Sequence, residues 1–99
     1  MQKIARQFDL CYLTCYQHKR PVTGNGYILV GSSNTVANTL PVARVGDAVM
    51  GPCGIHTGVI TSGSPNVRVN SIAVARVGDT VGGGVTGTIT GGSPDVFAN

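Results

Sequence analysis

Apolar and polar residues alternate along this chain in short bursts rather than long stripes. Gly26-Tyr27-Ile28-Leu29-Val30, Gly58-Val59-Ile60-Thr61-Ser62 and Gly87-Thr88-Ile89-Thr90-Gly91 are each of strand length, and each leads into a Gly-Ser turn. Apolar, β-branched runs this short, bounded by Gly, Ser, Pro and Asn, predict β-hairpins. After residue 20 no apolar period of 3.6 persists for three turns, so no long amphipathic helix is expected there. A short helix near residues 8–18 is the one helical alternative the pattern leaves.

The bursts recur. Gly31-Ser32-Ser33-Asn34-Thr35-Val36-Ala37-Asn38-Thr39-Leu40-Pro41-Val42-Ala43-Arg44-Val45-Gly46-Asp47 matches the stretch from Gly63 to Asp79 at ten of its seventeen positions. A truncated third copy runs from Gly92 to Asn99. Repeats of about 26–57, 58–86 and 87–99 follow, with residues 1–23 as a separate N-terminal segment. No hairpin of this size buries a face alone, but three around an axis share one core. The expected fold is therefore all-β: a small cone of short hairpins in three pseudo-symmetric repeats. The third copy lacks the Val-Ala-Arg-Val-Gly-Asp segment. Arg44, Asp47, Arg76 and Asp79 recur at fixed repeat positions and are expected to form ion pairs across repeat boundaries. Ile28, Val36, Ile60, Val67, Val69, Ile89 and Val96 are candidates for the core or the base, which alternation alone does not separate.

Composition adds a need for a crosslink. The chain has 99 residues, no Trp, three Tyr, two Phe and fifteen Gly. A domain this small with so little bulk usually takes a metal, disulfides or a partner to stabilise it. Three Cys are an odd number, which argues against a complete disulfide framework and favours metal binding. The two His lie in Cys15-Tyr16-Gln17-His18 and Cys53-Gly54-Ile55-His56. Two Cys-x-x-His pairs supply the four N/S donors of a closed tetrahedral zinc site. The candidate ligands are Cys53, His56, His18 and Cys15, with Cys11 as an alternative. Zinc is favoured over iron by ligand type, and one structural ion is expected near the apex.

Charge and chemistry narrow the function. The net charge is +3, and Lys3, Arg6, Lys19 and Arg20 stand against Asp9 alone in the first twenty residues. The repeats carry no basic stripe interleaved with aromatics, so no nucleic-acid partner is expected. No apolar stretch has the length of a membrane span, and the start has no apolar core with a cleavage site. The expected localisation is the cytoplasm, until something larger carries the protein out. Gly82-Gly83-Gly84 has no following Lys-Ser/Thr and is not a phosphate loop. Neither Cys-x-x-His has a general base near it in the sequence, so no catalytic residues and no enzyme activity are expected.

Pro41-Val42-Ala43-Arg44 with Val45-Gly46-Asp47, and Ala73-Val74-Ala75-Arg76 with Val77-Gly78-Asp79, resemble the Pro-Ala-Ala-Arg (PAAR) repeat. The stretches Gly63 to Asn70 and Gly92 to Phe97 also match the strand-turn pattern of that family, and the resemblance covers about residues 24–99. It implies a spike-tip protein, one per trimer, capping the trimeric β-helical central spike (VgrG-type or phage) of a contractile injection machine. Type VI secretion systems and contractile phage tails carry such spikes. The resemblance also implies transient contact with the target membrane, and secretion with the spike or a place in a virion tail. A metal near the apex, more often held by three His and one Cys, maps onto the Cys53/His56 connection. With two His in the chain, the ligand set must differ or be incomplete. Some relatives carry toxin domains; none follows here, so any effector would be a separate chain. The alternative function is an adaptor: a small zinc-pinned β-domain whose basic N-terminal arm recruits cargo or an acidic partner.

Overall fold

The computed structural model describes residues 2–16, 20–32, 35–37, 40–93 and 96–98. Among these are twelve strands and no helix: β1 (Gln2–Lys3), β2 (Leu10–Cys15), β3 (Val22–Ile28), β4 (Val36–Ala37), β5 (Leu40–Pro41), β6 (Ala48–Met50), β7 (Thr57–Ile60), β8 (Arg68–Val69), β9 (Ile72–Ala73), β10 (Thr80–Gly83), β11 (Val85–Ile89) and β12 (Phe97–Ala98). Six of them close an antiparallel barrel in the order β2-β3-β6-β7-β10-β11. The barrel is three hairpins side by side, β2–β3, β6–β7 and β10–β11. Opposite the hairpin tips stand three two-stranded pairs, β4 with β5, β8 with β9 and β12 with β1. The body is elongated, 39 × 24 × 21 Å.

A ring of backbone joins the two ends. The Ala5 N–H donates to the Ala75 carbonyl at 3.0 Å, Ala75 to Ala43 at 2.9 Å, and Ala43 back to Ala5 at 3.0 Å. All three alanines are fully buried. Buried side chains then stack in triplets along the axis. Ile4, Val42 and Val74 lie on the side of the two-stranded pairs. Ile28, Ile60 and Ile89, followed by Cys11, Val49 and Val81, lie on the barrel side. Val67, Val69 and Val96 pack half-buried against the first triplet, while Val36 is exposed.

The helical alternative near residues 8–18 gives way to β2 over Leu10–Cys15. Cys11, Leu13 and Cys15 point inward while Leu10 and Tyr12 point to solvent, a period of two that only a strand satisfies.

The N-terminal segment is no separate arm. β2 pairs with β3 on one side and β11 on the other. Ile4-Ala5-Arg6-Gln7-Phe8-Asp9 fills the place that the third repeat leaves vacant. The Ile4 N–H donates to the Val96 carbonyl and Ser93 to Ile4, as Val42 does to Thr35 and Ser32 to Val42 in the first copy. The third repeat is thus whole but split between the two ends of the chain. Only Ala, Arg and Asp survive of the Val-Ala-Arg-Val-Gly-Asp pattern in this segment, which hid it from a search for sequence identity.

The ion pairs form within each repeat rather than across boundaries. The Asp79 carboxylate accepts from the Arg76 backbone N–H (2.7 Å), Nε (3.1 Å) and Nη2 (3.0 Å). Asp9 takes the same three bonds from Arg6. Asp47 accepts from the Arg44 N–H, but Arg44 Nε lies 3.7 Å away and its guanidinium leans to Asn70. The Asp N–H donates to the Arg carbonyl in each copy at 3.0 Å, closing a four-residue turn. The third turn residue has positive φ: +94° at Gly46 and Gly78, and +73° at Phe8. Glycine is the ordinary residue there, so Phe8 holds a conformation that L side chains resist.

Gly26, Gly58 and Gly87 lie two residues before the buried isoleucines, and each faces a neighbouring strand's backbone. A Cβ on Gly58 would stand 2.7 Å from the Gly82 carbonyl oxygen and 2.9 Å from that of Val85. Both belong to hydrogen-bonded strands and cannot retreat. Gly58→Ala is therefore expected to cost about 2 kcal/mol or more, in the range of overpacked cores. It should lower the denaturant midpoint with an unchanged slope; an unaltered midpoint would refute the close approach.

Candidate metal centre

The hairpin tips gather sulfur and nitrogen at the narrow end of the barrel. Cys15 is the last residue of β2, on its inward face and fully buried. Cys53 and His56 belong to the turn between β6 and β7. There the Gly54 N–H donates to the Gly51 carbonyl (3.1 Å) and the Gly51 N–H to the His56 carbonyl (2.9 Å). Gly54 has a φ of +79°, which lets the chain double back and puts Cys53 and His56 on one side.

Cys53 Sγ lies 3.3 Å from Cys15 Sγ, and His56 Nδ1 lies 3.5 Å from each sulfur. The three donor atoms all fall within 4.8 Å of one another. A tetrahedral ion with bonds of about 2.0–2.3 Å has donor–donor edges of roughly 3.5–3.8 Å. The observed triangle matches one face of such a tetrahedron to within a few tenths of an ångström. No carboxylate joins the cluster among the described residues. Two thiols this close repel each other once ionised, and a cation between them favours both thiolates. This donor set suits a metal ion.

The sequence candidates divide three ways. Cys15, Cys53 and His56 are brought together. His18 lies outside the described residues. Cys11, the alternative ligand, is elsewhere: it sits in the apolar triplet with Val49 and Val81, two inward positions along β2 from Cys15. Burial, reinforced by Asp9, pushes its thiol up to about 12. Cys11 acts there as a small apolar side chain. The third hairpin contributes Val85, fully buried, and no donor. The sequence reading missed Arg6, Phe8 and Asp9. The Ala-Arg-x-x-Asp spacing they share with residues 43–47 and 75–79 was the available signal.

A closed barrel of three equivalent hairpins, with side chains at two of its tips that could hold a metal ion, defines the class: a small pseudo-threefold β-domain with a candidate metal centre at one end. The family model for the PAAR motif matches residues 20–84, and the chain belongs to that family. No curated protein matches it.

Proposed function

We propose that the protein is the tip of a spike. It caps the trimeric β-helical central spike of a contractile injection machine, such as a type VI secretion system or a phage tail, and sharpens it for passage through a membrane. The observation that carries this reading is the threefold equivalence of the end opposite the tips. There β4/β5, β8/β9 and β12/β1 repeat with one register, so each can meet one chain of a trimer. Membership of the PAAR-motif family supports the same role, and the role is structural rather than catalytic.

In this reading the tip centre holds one zinc ion. Cys15, Cys53 and His56 supply three ligands, and His18, three residues beyond Cys15, supplies the fourth. The ion ties the first hairpin to the second at the point of the cone. The protein is assembled in the cytoplasm and leaves with the spike or as part of a tail. Mixing it with the C-terminal β-helix of a cognate trimeric spike should give a complex of three spike chains to one cap. Absence of a stable complex, or a complex with three caps per trimer, would sink the proposal.

A further inference from the structure

The three seams between hairpins are not equally laddered. Between the third hairpin and the first, β11 and β2 pair from Ile89 and Cys11 up to Val85 and Cys15 at the tips. Between the second and the third, β7 and β10 pair as far as Gly58 and Gly83. Between the first and the second, β3 and β6 pair only at Ile28 with Val49 and Tyr27 with Met50. There β6 ends, whereas β3 extends toward the tips as far as Val22. Among the described residues, the tip half of this seam therefore has no strand ladder. It is also the seam that Cys15 and Cys53 span. Cys15 pairs with Val22 on the first hairpin, and Cys53 lies in the turn that follows β6.

The two sulfurs are placed for a bond to each other. Their separation of 3.3 Å exceeds the S–S bond of a disulfide by only about 1.2 Å. Cys15 is paired with a strand on each side, so the closing movement falls to Cys53 in its turn. Access is unequal: Cys53 is half-buried and Cys15 fully buried, so an oxidant meets Cys53 first. Cys11 is kept out of this chemistry. It is fully buried and lies on the same strand as Cys15. Four residues of strand separate their Cα atoms by roughly 13 Å, well beyond the reach of a disulfide.

We infer that Cys15 and Cys53 form a disulfide when the tip holds no metal ion, so that one pair of sulfurs ties the first two hairpins in either of two exclusive ways. The oxidant is a small disulfide such as oxidised glutathione. Cys53 Sγ attacks it, its S–S bond breaks, and one glutathione leaves as a thiol with the Cys53 proton. Cys15 Sγ then attacks Cys53 Sγ, the mixed disulfide breaks, and the second glutathione leaves with the Cys15 proton. Two protein thiols are oxidised and one glutathione disulfide is reduced to two thiols. Sulfurs joined to each other offer no thiolate to an ion, so the bond and the metal compete. The inference shares its residues with the metal reading but rests on neither zinc nor a spike.

The full-length protein is unfolded, reduced and refolded in a glutathione redox buffer with a chelator. Mass spectrometry of proteolytic peptides then maps its disulfides. An unstructured chain closes its shortest loop most readily, which favours Cys11–Cys15, whereas the fold should direct at least about tenfold more Cys15–Cys53. The oxidised protein should lose two hydrogen masses and keep one free thiol. It should melt roughly 10 °C or more above the reduced, metal-free form. Zinc added before the oxidant should slow bond formation about tenfold or more, because it occupies the attacking sulfurs. In His56→Ala the bond should still form while zinc retention falls. Predominant Cys11–Cys15, a lasting glutathione adduct on Cys53, intermolecular dimers, or an unchanged melting temperature would overturn the inference. Should the chain not refold without metal, oxidation of the protein as purified decides. Cys15–Cys53 as its main product upholds the inference, and any other outcome overturns it. Zinc bound with no such bond defeats this inference and spares the metal centre; the bond without zinc does the reverse.

Discussion

Cys53→Ser is expected to remove bound metal and most of the fold's stability together. The purified wild-type protein should carry about one equivalent of zinc, and the variant well under half of that, because a serine hydroxyl is a poor substitute for a thiolate. The effect on stability should be large. Structural zinc contributes on the order of 10 kcal/mol in small domains, and the buried side chains here are mostly small. Chelation of the wild type should reproduce the variant's lowered melting temperature. Cys11→Val supplies the contrast. It gives β2 the residue that β6 and β10 carry in the same triplet, so metal content should hold and stability should move by less than about 1.5 kcal/mol. Wild-type protein with less than about half an equivalent of any transition metal, melting identically with and without chelator, would eliminate the centre.

A fragment of residues 20–84, the length matched by the family model, is expected not to fold. It lacks β1, β2, β11 and β12. The barrel then loses two adjacent strands, and the alanine ring loses Ala5. The missing buried side chains include Ile4, Leu13, Val85 and Ile89. At about 1.5–3 kcal/mol each, they approach the whole stability of a small domain. Circular dichroism should show a disordered chain with no cooperative melt. A circular permutant should do the opposite. Joining residue 99 to residue 1 with a short Gly/Ser linker and opening the chain between Asn70 and Ser71 moves the break from β12/β1 to the equivalent β8/β9. Asn70 and Ser71 both hold positive φ, 53° and 66°, so the cut also releases strain. The permutant should unfold cooperatively at a midpoint near the wild type's. A folded 20–84 fragment or an unfolded permutant would contradict the split-repeat topology.

Much of this architecture was legible in the sequence. The Gly-Ser turns and β-branched runs marked the hairpins, and a repeat at 32-residue spacing marked the symmetry. The two Cys-x-x-His pairs pointed to the end where Cys15, Cys53 and His56 now meet. The first repeat's hairpin was harder to see for a physical reason. Core strands are constrained only on alternate residues, so β2 could replace Thr80 and Gly82 by Leu10 and Tyr12 on its outer face and still fit. On its inner face Cys11 kept the size rather than the identity of Val49 and Val81, while Leu13 stands where the other hairpins have Gly51 and Gly83. Side-chain similarity is a weak guide where the backbone carries the pattern. What persists through all three copies is the Arg–Asp turn, and at Phe8 even its glycine is gone.

The alanine ring sets a timetable for making the protein. Ala5 closes it with residues from the middle of the chain, but β2 waits for β11, and β1 waits for β12 at the far end. During synthesis β2 therefore leaves the ribosome with one barrel edge unpaired until β11 emerges. Contacts between such distant residues form slowly, and an open edge invites pairing with another nascent chain. The outer residues of β2 are themselves apolar, so this interval is when the protein is most exposed to aggregation. Its yield in cells should depend more on how soon β11 and β12 follow β2 than on the stability of the finished barrel.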